Sequence, residues 1–144
     1  MKIWFDMDGT IANLYGVDNW LEMLINEDVT PYATAETLLN MNALDRILNR
    51  LSRQGYELGV ISWLSKSGSD AYNEAVTAVK LHWLSVHLAS VTFNTIHIVP
   101  YGTDKDTFRE SALDVLFDDE ARNREAWGGV AYDVDAILET LKQF

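Results

Sequence analysis

Short apolar runs, each stopping at a polar or turn residue, punctuate this chain. Lys2 to Phe5 stops at Asp6, and Thr95 to Val99 stops at Pro100. Tyr56 to Ile61 follows the turn glycine Gly55 and stops at Ser62, and Ala112 to Phe117 stops at Asp118. Such runs, bounded by turn residues, predict buried strands. Gly129 to Tyr132 is a weaker fifth. Between the runs the apolar spacing lengthens to that of a helix. Leu44, Ile47, Leu48 and Leu51 share one face, as do Ala75, Val76, Val79, Trp83, Val86 and His87 in a longer segment starting near Ser69. Asp135 to Phe144 closes the chain as a third helix, with Ile137, Leu138 and Leu141 inward. Strands alternating with helices imply crossovers, a parallel sheet of about five strands, and helices on both faces: a three-layer α/β/α, Rossmann-like arrangement. Pro31 and Pro100 are expected in loops.

Residues 11–41 break the alternation. About thirty residues separate the first strand from the first crossover helix, where ~2–6 is usual. Trp20, Leu21, Met23, Leu24 and Ile25 form an amphipathic pattern there, followed by Pro31-Tyr32 and Thr34 to Leu39. This reads as a small helical insert above the sheet edge, serving as a cap or as extra core.

Size and composition narrow the classes. At 144 residues and 48% hydrophobic, the chain suits one domain, 1–144, with one core. No apolar run approaches the ~18–20 residues of a membrane helix, and charge arrives too early for a secretory leader. There is no cysteine, which excludes disulfides, thiol catalysis and zinc–thiolate sites and fits a cytoplasmic location. A net charge of −11 argues against broad nucleic-acid binding and against an anionic membrane surface. Much of that charge serves solubility. Part of it gathers where a cation can be held.

That gathering is at the strand ends. The first strand ends Asp6-Met7-Asp8-Gly9-Thr10 and the fourth ends Asp118-Asp119-Glu120. In parallel sheets these ends form the ligand-binding edge. Buried like charges need a cation or hydrogen bonds to offset them. Oxygen-only ligands suit magnesium rather than zinc or copper. Ser62, ending the second strand, offers a hydroxyl for phosphoryl oxygens, and Lys105, after the third, an ammonium. Each feature alone is commonplace: Asp-x-Asp often marks a turn, and a lone lysine is usually surface. Their order along four successive strand ends is not.

Phe5-Asp6-Met7-Asp8-Gly9-Thr10-Ile11-Ala12 resembles the first motif of the haloacid dehalogenase superfamily of phosphatases. Ile61-Ser62, Lys105 and Leu116-Phe117-Asp118-Asp119-Glu120 match its second, third and fourth motifs. The run from Asp118 to Gly129 is similar to the 5′-nucleotidase and deoxyribonucleotidase branch, as are Lys80-Leu81-His82-Trp83-Leu84 and Val99 to Lys105. The resemblance implies that Asp6 attacks phosphorus and forms an aspartyl-phosphate, while Asp8 protonates the leaving oxygen and then activates water. It places Mg2+ on the Asp6 carboxylate, the Asp8 carbonyl and Asp118, with Asp119 direct or through water. It gives Ser62 and Lys105 the phosphoryl group; Thr10 and Trp63 are further candidates for contact with the substrate. Asp8 favours phosphate over dehalogenation chemistry. The implied substrate is a small phosphomonoester, a nucleotide first of all, with Trp63, Tyr15 or Trp20 stacking on a base. A small insert also leaves room for larger, macromolecular substrates or for completion by a second copy of the chain in a homodimer. A receiver-like phosphate-accepting module is the alternative from another class.

Other residues read as structural. His82 and His87 do not share a helix face, His97 lies in a strand, and Trp4, Trp83 and Trp127 belong to packing. Arg122 and Arg124 read first as a solvated face, with contact to substrate as the other reading, and Asn123 as support of the acidic loop.

Overall fold

The structure, a computed structural model, describes all 144 residues. The strands and helices alternate as the apolar periods require. In chain order they are β1 (Lys2–Phe5), β2 (Ala12–Asn13), α1 (Trp20–Ile25), α2 (Thr30–Thr34), β3 (Glu36–Thr37), α3 (Met41–Arg53), β4 (Glu57–Trp63), α4 (Asp70–His87), β5 (Thr95–Val99), β6 (Val115–Phe117), α5 (Ala121–Ala126), β7 (Val130–Tyr132) and α6 (Ile137–Leu141). Five strands form one parallel sheet in the order β5-β4-β1-β6-β7. The chain builds outward from β1 through β4 to β5, then returns to the other side of β1 for β6 and β7. Strand order therefore reverses beside β1, which is where such sheets open a crevice at their carboxyl ends.

Alternation along each strand sorts the core onto two faces. Ile3, Phe5, Leu58, Val60, Val115 and Phe117 point to one face. They meet Leu44, Leu48 and Leu51 of α3, Trp83 and Leu84 of α4, and Ile137 and Leu141 of α6. Trp4, Ile61 and Leu116 point to the other face, where Trp127 and Phe108 cover them. Gly59 lies under the Trp4 ring, and a Cβ there would collide with it. Each fully buried large apolar side chain contributes about 1.5–3 kcal/mol.

Element boundaries shift from the periodic reading for local reasons. β4 runs on through Ser62 and Trp63 because β5 pairs with both, Ser62 with Ile98 and Trp63 with Val99. β6 starts only at Val115, because the Asp114 carboxylate gathers the Glu110 and Ser111 amides into a turn. Pro31 is not in a loop but in the first turn of α2, where a missing N–H costs no hydrogen bond. The closing helix is divided into a 3-10 turn, Val134–Ala136, and α6.

The insert is tied at its base by β2 and β3, paired antiparallel. α1 buries no residue, whereas α2 buries Pro31 and Tyr32. Tyr32 packs with Leu14 and Leu64 against Tyr72 and Val76 of α4. Ser69, the N-cap of α4, also donates its N–H and hydroxyl to the Glu27 carboxylate at 2.7 and 2.9 Å, and the Tyr72 hydroxyl donates to the Asp28 carbonyl at 2.8 Å. No helix is long and apolar enough to cross a membrane.

Candidate active site

The carboxyl ends of β1 and β6 bring the two acidic motifs together. Asp6 follows β1 directly and still donates its N–H to Phe117 at 2.9 Å, so the ladder fixes its backbone. Lys105 then bridges the two strands. Its ammonium lies 2.8 Å from Asp6 Oδ1 and 2.7 Å from Asp118 Oδ2, with all three side chains buried. The Thr10 hydroxyl donates to Asp6 Oδ2 at 2.9 Å and accepts the Asp119 N–H at 3.2 Å. Asn123 Nδ2 donates to Asp118 Oδ2 at 3.1 Å. Arg124 clamps the acidic loop from behind, donating to the Asp118 and Asp119 carbonyls at 2.9 and 2.8 Å.

Gly9 makes the close approach of the two motifs possible. Its φ is +79°, and a Cβ there would strike the Asp119 carboxylate and the Tyr15 ring. One oxygen each from Asp6, Asp118 and Asp119 lies within 4.8 Å of the others. Three hard carboxylate oxygens converging on one point fit a small divalent cation such as magnesium.

Asp8 is held separately. Lys80 of α4 is 1% exposed, and its ammonium donates to Asp8 Oδ2 at 2.7 Å, to the Ser62 hydroxyl at 2.7 Å and to the Trp63 carbonyl at 2.6 Å. The Tyr32 ring lies 5.0 Å from that ammonium.

The electrostatics show an edge with excess negative charge. Burial, then the Asp6 charge, pushes Asp118 up to about 6. Burial, Asp6 and Asp118 push Asp119 up to about 7. Asp8 is raised by burial and by Asp6, with Lys80 pulling the other way. Burial works against the Lys105 charge, but Asp6 and Asp118 outweigh it and the lysine is raised. Burial, then the charges of Asp8, Asp119, Asp6 and Glu120, raises Tyr15.

A cavity of about 270 Å³ opens above this floor. Asp6, Asp8, Lys105, Asp118 and Asp119 form its base. Tyr15, Trp20, Leu24 and Tyr32 of the insert form one wall, and Trp63 and Tyr101 form another. The Trp63 indole is fixed by donating to the Thr103 carbonyl at 2.9 Å, and its ring lies 5.1 Å from the Lys105 ammonium and 5.0 Å from the Arg122 guanidinium.

Of the residues singled out in the sequence, Asp6, Asp8, Trp63, Lys105, Asp118 and Asp119 all line the cavity. Thr10 and Ser62 do not. Thr10 is 1% exposed, with its hydroxyl engaged by Asp6 and Asp119, and Ser62 is fully buried with its hydroxyl accepting from Lys80. Both differ from the expectation of a direct substrate contact, because neighbouring charges already occupy their hydroxyls. Asn123 supports Asp118 as expected, while Arg124 reaches the acidic loop instead of facing only solvent. Sequence reasoning gave Lys80 no role of its own. Its signal was a lysine on the buried stripe of α4, in step with Val76, Trp83 and Leu84.

Known structures share this fold. The D,D-heptose 1,7-bisphosphate phosphatase from B. bronchiseptica, solved with magnesium and phosphate, superposes with a TM-score of 0.54 at 14% identity over 99% of both chains. The enzyme of the same name from Burkholderia thailandensis gives 0.57 at 14% identity, again over 99% of both. A chain of the Pnkp1/Rnl/Hen1 complex gives 0.58 at 18% identity over 92% of this chain, which spans 45% of that one. No family model matches the sequence, and no curated protein does. At such identities the likeness is one of fold, a parallel α/β sheet.

Proposed function

We propose that the chain is a magnesium-dependent phosphomonoester hydrolase of the haloacid dehalogenase type that works through an aspartyl-phosphate. The observation that carries this reading is the Lys105 bridge between Asp6 and Asp118, with Asp119 alongside and Asp8 held apart by Lys80. Two phosphatases of the same fold support it, one of them solved with magnesium and phosphate.

The chemistry follows from the placement. Asp6 sits at the cavity base with its rotamer set by Thr10 and Lys105. Its carboxylate attacks phosphorus, and the bond from phosphorus to the leaving oxygen breaks. Asp8 gives its proton to that oxygen. The raised affinity of Asp8 for a proton suits it to this acid step. Asp8 then takes a proton from water as the water attacks the phosphoryl group, which regenerates Asp6 and releases phosphate. Asp6, Asp118 and Asp119, with the Asp8 carbonyl, would hold magnesium, which supplies neutralisation of phosphoryl charge. Lys105 adds fixed positive charge beside the nucleophile.

The leaving group is read from the walls. Tyr15, Trp20, Tyr32, Trp63 and Tyr101 favour a flat partner, so a nucleotide leads among small phosphomonoesters. Residues 11–41 act as the cap that supplies one wall. The test is phosphate release from nucleoside monophosphates and sugar phosphates, with magnesium and with chelator. Magnesium-dependent release, ranked by base, supports the reading. Release that persists in chelator, or none from any compound, contradicts it.

A further inference from the structure

Ser65 is a polar side chain with no partner in the protein. It lies in the loop between β4 and α4, is 8% exposed and lines the cavity, yet its hydroxyl makes no hydrogen bond. Asn73 Oδ1, in the first turn of α4, is a second buried oxygen without a partner. Both border the same spot: a Cβ added to Gly68 would come within 2.7 Å of each. The bare Cα of Gly68 thus leaves a small polar seat between them. Buried polar atoms are normally paired, so an unpaired couple beside a ligand cavity points to a group that arrives from outside.

The lining of the cavity sets what that group is. Ser65 follows Trp63, whose carbonyl accepts from Lys80, by two residues, and precedes Ser69, which bonds the insert, by four. About half of the lining residues are apolar, Leu24, Leu64 and Tyr32 among them, and Lys66 lines the cavity next to Ser65. A polyol would leave many hydroxyls unpaired against such a wall, whereas a flat body with one hydrogen-bonding edge would not.

Resting on the phosphomonoesterase reading of this site, we propose that Ser65 is a specificity-determining residue whose hydroxyl bonds the polar edge of a flat, heteroaromatic leaving group. The contact requires the hydroxyl to turn from the Gly68 seat toward the cavity that Ser65 lines.

The test compares nucleoside monophosphates with phenyl phosphate, whose flat leaving group has no hydrogen-bonding edge. Ser65→Ala is expected to lower the ratio of kcat/KM, best nucleoside monophosphate over phenyl phosphate, by about tenfold or more. Ser65→Thr keeps the hydroxyl and is expected to recover most of that ratio. The same ratio is read as Kd in an Asp6→Asn background, so it does not depend on turnover. A ratio unchanged by Ser65→Ala in either readout overturns the proposal, as does failure of the chain to bind any nucleoside monophosphate. A product-bound crystal structure with only a water between Ser65 and Asn73, the product reaching neither, overturns it too. No turnover, together with a binding ratio that still shifts, sinks the hydrolase reading and leaves the Ser65 contact standing.

Discussion

Asp114 and Asp118 sit at opposite ends of the same three-residue strand, 1% and 0% exposed. At the amino edge of the sheet, Asp114 accepts from the Lys2 and Glu110 amides at 2.9 Å, the Ser111 amide at 3.2 Å and the Trp4 indole at 3.4 Å. Burial would raise it, but those four donors more than offset burial and hold its carboxyl below the usual range. At the carboxyl edge the result is the opposite. Burial, then the Asp6 charge, outweighs Lys105, and Asp118 is pushed up. Burial alone thus does not mark a functional carboxylate. The distinction is whether fixed neutral dipoles satisfy it, which gives structure, or whether like charges crowd it, which leaves a demand for a cation or a proton.

The largest expected effect separates the two edges by function. Asp6→Asn should reduce turnover by roughly a thousandfold or more while keeping the fold, since it removes the nucleophile and relieves like-charge crowding. Wild-type turnover in that variant would remove the contrast. Next comes Lys80→Met, which frees Asp8 without touching the carboxylates that face the cation. A loss of about a hundredfold in kcat, with KM little changed, is expected from a displaced acid–base group. An unchanged kcat would mean that Asp8 needs no such support.

Asp114→Ala probes the quiet edge. It leaves four donors without their acceptor and should cost about 3 kcal/mol, read from denaturant unfolding, with the activity per folded molecule preserved. Lost activity at full stability would mean that the two edges are coupled. The smallest effect concerns pH. Asp118 and Asp119 bind protons more tightly when folded than when unfolded, at about 6 and about 7. In metal-free protein their contribution to stability is present at low pH and lost as pH rises through that window. Magnesium binds the ionised forms, so it should raise the thermal midpoint more at about pH 8 than at about pH 5. An equal shift at both would contradict a carboxylate-bound cation.

The sequence made the sheet legible because parallel strands buried on both faces read as continuous apolar runs, and each run here ends in a residue that terminates it. Strand order was not legible. Nothing local says that β6 returns beside β1, yet that return is what joins Asp6 to Asp118. Hydroxyl partners were hidden for the same reason. Thr10 and Ser62 sit where motif spacing expects them, but long-range neighbours, Asp119 and Lys80, engage their oxygens. Lys80 was the hardest to see, since its 72-residue separation from Asp8 leaves only its place on a buried stripe as a trace. The insert was visible as an interruption of period. Its two-residue ladder and the tether from Glu27 to Ser69 were too short and too distant to show.

The most direct measurement is to quench a magnesium-containing reaction with a hydrolysed phosphomonoester in acid and locate the phosphoryl group by peptide mass spectrometry. The account predicts one added phosphoryl group on the peptide that carries Asp6, lost in Asp6→Asn. Turnover with no phosphoryl-protein at Asp6, or with the label on another residue, would contradict it.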